Sequence, residues 1–342
     1  MAYFFMTNYK NILMRSYNWG IIGPGSIAHD FANDIKLVSA QQKITAVLSH
    51  REESANEFAD EFRIADRYIN IDDFVKKSKV DIVYIATPHP FHYEQIKACL
   101  NNRIAVLCEK PIVINHEQLE ELQQLSKEKN TFLMEGMWIR FLPNFQKLLE
   151  VIDQKKVGDI ISVKASMYYK APCDENSRYY DPTKGGGSLL DLGVYCVFLS
   201  TLIFGFPKTI KAVGSLTDKE IDEACAVLLS YTHGRYAMLE SSLLIKKNTA
   251  ATIYGTKGII RMLDPWFEKS PAIEIEPDNG EKQTIALSWE GHGLQFEIEE
   301  AINCISGQKI ASNLMPRKLS GDVLKIMDEI RRQLDISYDE FE

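Results

Sequence analysis

Between residues 19 and 136, short apolar runs alternate with stretches whose apolar residues follow a helical repeat. The runs cover 19–22, 43–49, 80–87, 104–108 and 131–135, and most of them carry valine or isoleucine. Between them Ala55, Phe58, Ala59 and Phe62 fall at i, i+3, i+4 and i+7, the spacing of one helical face. Leu119, Leu122 and Leu125 form a second stripe, opened by Asn115 as N-cap with Gln118 three residues on. Strands alternating with helices predict βαβ units and a parallel sheet. Residues 16–136 therefore read as a doubly wound α/β domain of the Rossmann type.

Near Val157 and Gly158 the pattern changes. Runs with strand character at 160–169, 209–214, 224–231, 236–244, 249–254, 259–262 and 272–275 follow one another, separated by turns such as His233-Gly234 and Thr256-Lys257-Gly258. They predict a mostly antiparallel, open-faced sheet. One helix at about 189–204 precedes the main block, and two at about 293–306 and 320–334 end the chain. Helices on one face make 137–342 an α+β substrate and dimerisation domain, with the last helix free to pack back on the first domain. The other face needs a partner, which points to a homodimer or higher homo-oligomer. Residues 1–15 read as an N-terminal extension without chemistry, with Met6 and Met14 as alternative starts.

Length and composition agree with two soluble domains: 342 residues, 45% hydrophobic, 25% charged. A formal charge of -8 without a dense Lys/Arg run argues against nucleic acid. Membrane spanning is not expected, because residues 188–206, the most apolar stretch, are broken by Asp191 and by glycine. The six cysteines (Cys99, Cys108, Cys173, Cys196, Cys225, Cys304) are scattered without a CxxC pair. They read as reduced thiols of a cytoplasmic protein.

Four segments carry candidate chemistry. Gly23-Pro24-Gly25-Ser26-Ile27-Ala28 fits G-x-G-x-x-A between a strand and a helix marked by Phe31, Ala32 and Ile35. The first glycine permits the turn, the second lets a pyrophosphate approach, and free N–H groups at the helix start receive its oxygens. A plain strand-to-helix turn also uses glycine; the flanking elements favour the dinucleotide. At the end of the second strand stand Ser49, His50 and Arg51, where an NAD-preferring site would carry Asp or Glu. A hydroxyl, an imidazole and a guanidinium suit a 2′-phosphate, so NADP is expected ahead of NAD.

The run ending at Thr87 continues Pro88-His89-Pro90-Phe91-His92, with His89 placed to meet the nicotinamide ribose or substrate and His92 set to cap the next helix. The next run ends Cys108-Glu109-Lys110-Pro111. Ligands of open α/β sheets bind outside the carboxyl ends of strands, which makes Lys110 a catalytic candidate. Beyond Gly185, Gly186, Gly187 and Ser188, Asp191 and Tyr195 stand at i and i+4 on one helix. Lys110 is the expected partner of this face, and a Tyr–Lys pair can pass a proton to or from a hydroxyl oxygen. A core tyrosine with a satisfied hydroxyl is the alternative.

Together these motifs resemble the glucose–fructose oxidoreductase / inositol dehydrogenase / rhizopine catabolism (Gfo/Idh/MocA) family over nearly the whole chain. Residues 23–28 match its glycine loop, Glu109-Lys110-Pro111 its E-K-P motif, and Asp191-Leu192-Gly193-Val194-Tyr195 its D-x-G-x-H motif. Tyr195 departs from the histidine of many members. That departure, Met137-Trp138-Ile139-Arg140-Phe141-Leu142-Pro143 and Arg178-Tyr179-Tyr180-Asp181-Pro182 are similar to the branch of dimeric dihydrodiol and NADP-dependent D-xylose dehydrogenases. The resemblance implies NADP-dependent oxidation of a sugar or cyclic vicinal diol, or the reverse, with Lys110 and Tyr195 catalytic alongside Asp191. It implies dimers through the open sheet face and no metal. Trp138 resembles an aromatic wall beside the nicotinamide. Arg140, Trp266, Phe267, Trp289 and His292 are further substrate-pocket candidates. A non-catalytic dinucleotide-binding regulator, and a glycosidase or epimerase holding NAD tightly, are the competing readings.

Overall fold

The apolar runs of the first half become the strands of one parallel sheet: β1 (Asn18–Ile22), β2 (Lys43–Leu48), β3 (Asp66–Tyr68), β4 (Ile82–Ile85), β5 (Ala105–Glu109) and β6 (Leu133–Gly136). This computed structural model describes residues 15–38, 41–172, 177–338 and 341; Cys173 and residues 1–14 of the expected extension lie outside them. The strand order is β3-β2-β1-β4-β5-β6, and every pairing is parallel. Order reverses between β1 and β4, so the ligand crevice of such a sheet opens at their carboxyl ends. Strand β3 (Asp-Arg-Tyr) escapes the apolar pattern because it is short, polar and at the sheet edge.

Helix α1 (Ser26–Asp34) follows β1, and α2 (Glu52–Phe62) follows β2; α3 (Ile71–Lys77), α4 (His92–Asn101) and α5 (His116–Lys129) complete the run. The Asn115 side chain accepts from the Gln118 amide at 2.9 Å, as its spacing predicts. The chain next forms α6 (Pro143–Asp153) and α7 (Val194–Phe204), then α8 (Leu294–Ser306) and α9 (Arg317–Leu334).

By contacts the described chain divides into a first unit of 15–141 with 290–320 and a second of 142–289 with the residues from 321 on. Helix α8 thus joins the first unit, whereas the sequence pattern assigns it to the second. Its N-cap, Gly293, has no side chain to offer. Asp34 at the end of α1 supplies the missing acceptor: its Oδ2 receives the Gly293 amide at 2.8 Å and the Leu294 amide at 2.9 Å. A carboxylate there also complements the positive end of the helix.

The second unit holds β7 (Ile160–Tyr168), β8 (Thr209–Leu216), β9 (Asp222–Ser230), β10 (Tyr236–Ser242), β11 (Ala250–Gly255), β12 (Gly258–Met262), β13 (Ala272–Pro277) and β14 (Gln283–Ala286). Their order is β14-β13-β12-β11-β7-β10-β9-β8, antiparallel except for the parallel β7–β10 pair. Side chains alternate in and out. Val163, Ala165, Val227, Leu229, Ala237, Leu239 and Ile253 are buried, while Val213, Leu228, Tyr236 and Met238 are exposed, Val213 by 70%. The body of α9 lies with this sheet and not with the first unit. Gln333 accepts from the Ala212 amide and donates to the Ile210 carbonyl, both at 2.9 Å, covering edge strand β8.

The segment Pro182–Phe204 is long and apolar enough to cross a bilayer, but 83% of its apolar window is buried inside the protein, as for a core helix. It enters α7 through a π turn at Leu189–Gly193. Asp222, at the start of β9, holds that turn: its Oδ2 accepts from the Ser188 hydroxyl at 2.6 Å and the Leu189 amide at 2.7 Å. Burial lifts the Asp222 carboxyl from 3.8 to about 6, with these bonds opposing the rise. A raised folded-state value favours the protonated folded chain, a contribution complete below 3.8 and lost as pH rises through about 6. Asp222→Asn keeps an acceptor oxygen without the charge. Chemical denaturation is expected to show this variant gaining on the wild type by about 2 kcal/mol between about pH 4 and about pH 8. A gap that stays constant across that range contradicts the assignment.

Candidate active site

The glycine loop turns where β1 ends. Gly23 has φ +86°, and a Cβ there would lie 2.7 Å from Thr87 Cγ2 and 2.8 Å from the Thr87 amide. Only glycine therefore lets β1 and the tip of β4 come this close. Gly25, the N-cap of α1, faces open space, with nothing within 4 Å of the point a Cβ would occupy. Pro24 is half-buried, Ser26 is exposed, Ile27 is half-buried and Ala28 is buried. An open, side-chain-free helix N-terminus fits a pyrophosphate group.

At the end of β2, Ser49 is buried and its Oγ accepts from the Arg51 amide at 3.2 Å. That small turn sends His50 and Arg51 outward, both exposed. Arg51 is the N-cap of α2, and Glu52 and Glu53 occupy its first turn. The acids absent from the strand tip thus appear one residue later, where they complement the helix dipole.

The tips of β4 and β5 are joined by His92. It is fully buried, with Nδ1 3.0 Å from the Pro111 carbonyl and Nε2 2.8 Å from the Thr87 carbonyl. Burial holds its imidazole below the usual value, against the hydrogen bonds that favour the charged form. His92 therefore ties the tip of β4 to the turn after β5, and with both ring nitrogens on these carbonyls it is not the expected cap of α4, whose N-cap is Phe91. His89 is also buried, in the short turn His89–Phe91 after Pro88, and the Thr87 hydroxyl donates to Gln95 at 2.7 Å. Glu109 and Lys110 are half-buried at the end of β5. The Tyr84 hydroxyl, from β4, donates to Glu109, which also accepts from the Lys110 amide at 3.3 Å.

In the second unit Asp191 lies in the π turn and pairs with Arg178, whose Nη2 is 3.2 Å from Oδ2. Arg178 is thus a partner of this acid within the second unit. Arg178 also lies over the Tyr179 ring, 4.2 Å from its centre. Tyr195 is buried on α7, with Phe267 tilted against it at 5.8 Å between ring centres.

The remaining candidates separate by burial. Trp138 is half-buried on the turn Trp138–Arg140. Arg140 is buried and donates from Nε to the Leu314 carbonyl at 2.8 Å. Burial also presses its guanidinium below the ordinary value. It fastens the 312–316 segment within the first unit, which removes it from a substrate-facing role. Trp266 is fully buried, its indole N–H given to the Ser166 carbonyl at 3.0 Å with Phe145 packed alongside. It is a core residue, not a pocket wall. His292 stands 3.2 Å from Asp34 and 3.4 Å from Asp30. Among the described residues no group of His, Cys, Asp and Glu is arranged to hold a metal ion.

Sequence reasoning missed Tyr84, Asp34, Asp222 and Glu297. Only the last leaves a trace in the pattern: Glu297 takes an apolar-stripe position of α8, between Leu294 and Ile298.

Residues 17–137 match the family described as an oxidoreductase family with an NAD-binding Rossmann fold, and residues 145–261 match the GFO/IDH/MocA C-terminal domain. The chain is 31% identical over 335 residues to a trans-1,2-dihydrobenzene-1,2-diol dehydrogenase of Xenopus tropicalis, covering 94% of this chain and 98% of the relative. The Homo sapiens protein of the same name is 28% identical over 327 residues, covering 94% and 97%. Among solved structures, an aldose-aldose oxidoreductase from Caulobacter crescentus shares the fold with a TM-score of 0.85 at 19% identity, over 94% of this chain and 98% of that one. A levoglucosan dehydrogenase does so with a TM-score of 0.83 at 17% identity, again over 94% and 98%. Two adjoining family matches and a likeness spanning nearly the whole length of the frog enzyme show that this chain belongs to the Gfo/Idh/MocA oxidoreductase family.

Proposed function

We propose that the chain is a dehydrogenase or reductase acting on a CH–OH group of a sugar or cyclic vicinal diol, with NADP as cofactor and Lys110 and Tyr195 as its acid/base pair. The observation that carries this reading is the place of Lys110 at the carboxyl end of β5, with only β4 between it and the strand that feeds the glycine loop. At the usual strand spacing that is about 10 Å, the reach of a dinucleotide from its pyrophosphate to its nicotinamide ring.

When bound, the nicotinamide supplies the hydride acceptor or donor. The chain does the rest. Free amides at the start of α1 hold the pyrophosphate, and Ser49, His50 and Arg51 meet the 2′-phosphate. The Lys110 ammonium, half-buried at a rigid corner, stabilises negative charge growing on the substrate oxygen. The Tyr195 phenol gives or takes the hydroxyl proton. Trp138 offers a flat apolar face to a ring. The dihydrodiol named for the vertebrate relatives supports a cyclic diol as substrate class.

A cytoplasmic setting belongs to the same proposal, because Cys99, Cys108, Cys196, Cys225 and Cys304 are free, buried thiols suited to a reducing compartment. So does a homodimer or higher homo-oligomer through the outer sheet face, where Val213, Leu228, Tyr236 and Met238 leave an apolar patch in water.

Lys110→Met and Tyr195→Phe are each expected to lower kcat by about 10²- to 10⁴-fold, measured as NADPH absorbance over a panel of aldoses and trans-dihydrodiols. Full activity in Lys110→Met sinks the reading. Arg51→Ala should raise KM for NADP by about 10- to 100-fold and leave KM for NAD nearly unchanged. Equal effects on both cofactors would place the 2′-phosphate elsewhere. The double variant Leu228→Glu/Met238→Glu should sediment as a monomer where the wild type does not; a monomeric wild type rejects the oligomer.

A further inference from the structure

Helix α8 carries one residue that its own pattern does not explain. Its apolar stripe runs Leu294, Ile298, Ala301 and Ile302, all buried, and Glu297 stands within it. The Glu297 side chain is completely buried (0% exposed), and neither carboxylate oxygen has a hydrogen-bond partner. Its Oε1 lies 3.4 Å from where a Cβ of Gly136 would be, and the Cys108 carbonyl lies 3.1 Å from the same point. The carboxyl is therefore lodged behind the adjoining ends of β5 and β6, beside the Glu109-Lys110 corner.

Charged neighbours make its ionisation harder. The titratable groups facing it are Glu109 from β5, Asp34 from α1 and the Tyr84 phenol from β4. On the other elements packed against α8, Lys36 lies over the Phe62 ring and Arg140 is matched with Glu300. Burial, followed by the charges of Glu109 and Asp34, raises the Glu297 carboxyl well above the ordinary range. With acids and a phenol facing it, the species that neutralises this carboxyl is a proton.

We propose that Glu297 is a positioning residue of the Glu109-Lys110 corner: it stands behind Glu109 as the neutral acid, and so adds no charge of its own to the carboxyls near Lys110. The consequence follows from charge alone. Glu109 already receives the Tyr84 hydroxyl and the Lys110 amide, and a charged carboxyl behind it would repel its own carboxylate. A second negative charge here would strengthen the hold of Lys110 on its proton and pull its ammonium away from an acid/base role. The catalytic part of this inference rests on the function proposed for Lys110; the protonation state of Glu297 does not.

The test uses the full chain labelled with carbon-13 at the glutamate carboxyl. An uncharged-glutamate resonance is expected at neutral pH in the wild type and should vanish in Glu297→Gln. If Glu297→Gln does not fold, Glu297→Asp, which keeps an acid, assigns the same resonance by its loss. In Glu109→Gln the midpoint of that resonance should fall by about one pH unit, because the neighbouring charge is gone. The kcat/KM ratio of wild type to Glu297→Gln should be flat below the wild-type midpoint and change above it. No uncharged resonance, a midpoint that ignores Glu109→Gln, or a ratio offset equally at every pH overturns the proposal. Should turnover with nicotinamide fail altogether while the resonance and its coupling to Glu109 persist, the function proposed for Lys110 falls and the protonated Glu297 stands.

Discussion

The ligand end of the first unit depends on one buried imidazole. His92 reaches the carbonyls of Thr87 and Pro111 at once, and so ties the tip of β4 to the turn after β5. The first of those segments borders the glycine loop, where Gly23 lies against Thr87 with no room for a side chain. A shift of His92 would therefore be felt on both sides: in the loop that fits phosphates and in the corner that holds Lys110. Two carbonyls flank a ring that burial keeps from charging, and a neutral imidazole has only one N–H to give. The bridge rests on one donated hydrogen bond and on close packing, which makes it rigid without adding charge beside Lys110.

Buried acids do comparable work in both units. Helix α8 has only Gly293 at its N-cap and takes its acceptor from Asp34 on α1. The π turn leading into α7 has no side-chain cap of its own and takes Asp222 from β9. Each carboxylate fixes a helix start by satisfying amides that would otherwise be orphaned in the interior. The first aligns the helix that carries Glu297, and the second aligns the helix that carries Tyr195. In each unit the residue of chemical interest stands on a helix whose start is fixed from another part of the chain.

This arrangement explains which features could be read from the sequence. The parallel sheet was legible because β1, β4 and β5 are buried on both faces and show as apolar runs. The antiparallel sheet was legible through its period-two alternation, and the α5 cap through the local pairing of Asn115 with Gln118. Asp34 and Asp222 were not legible, since each caps a helix far along the chain and no fixed spacing links donor to acceptor. The same limit misplaced α8, whose attachment to the first unit runs through Asp34. Trp266 and Arg140 were misread for a different reason. A tryptophan or arginine in a loop is equally consistent with a pocket wall and with a buried donor, and only the Ser166 and Leu314 carbonyls decide between them.

Charge shows the difference between global and local reading most clearly. The net value of -8 says nothing about the site. The site has exposed cationic and imidazole groups at the tip of β2 and acids turned inward behind β5. A dinucleotide phosphate must be met by positive charge, whereas a lysine used as an acid or base must not be over-stabilised as its ammonium. Both demands can be met within one small region only if carboxyl groups near the lysine are few in charge, though not in number. Glu109, Glu135 and Glu297 all lie near the ends of β5 and β6, and burial pushes the last two toward the protonated form. Burial thus makes the carboxyls behind β5 and β6 harder to charge, and so limits the negative charge that can gather beside Lys110.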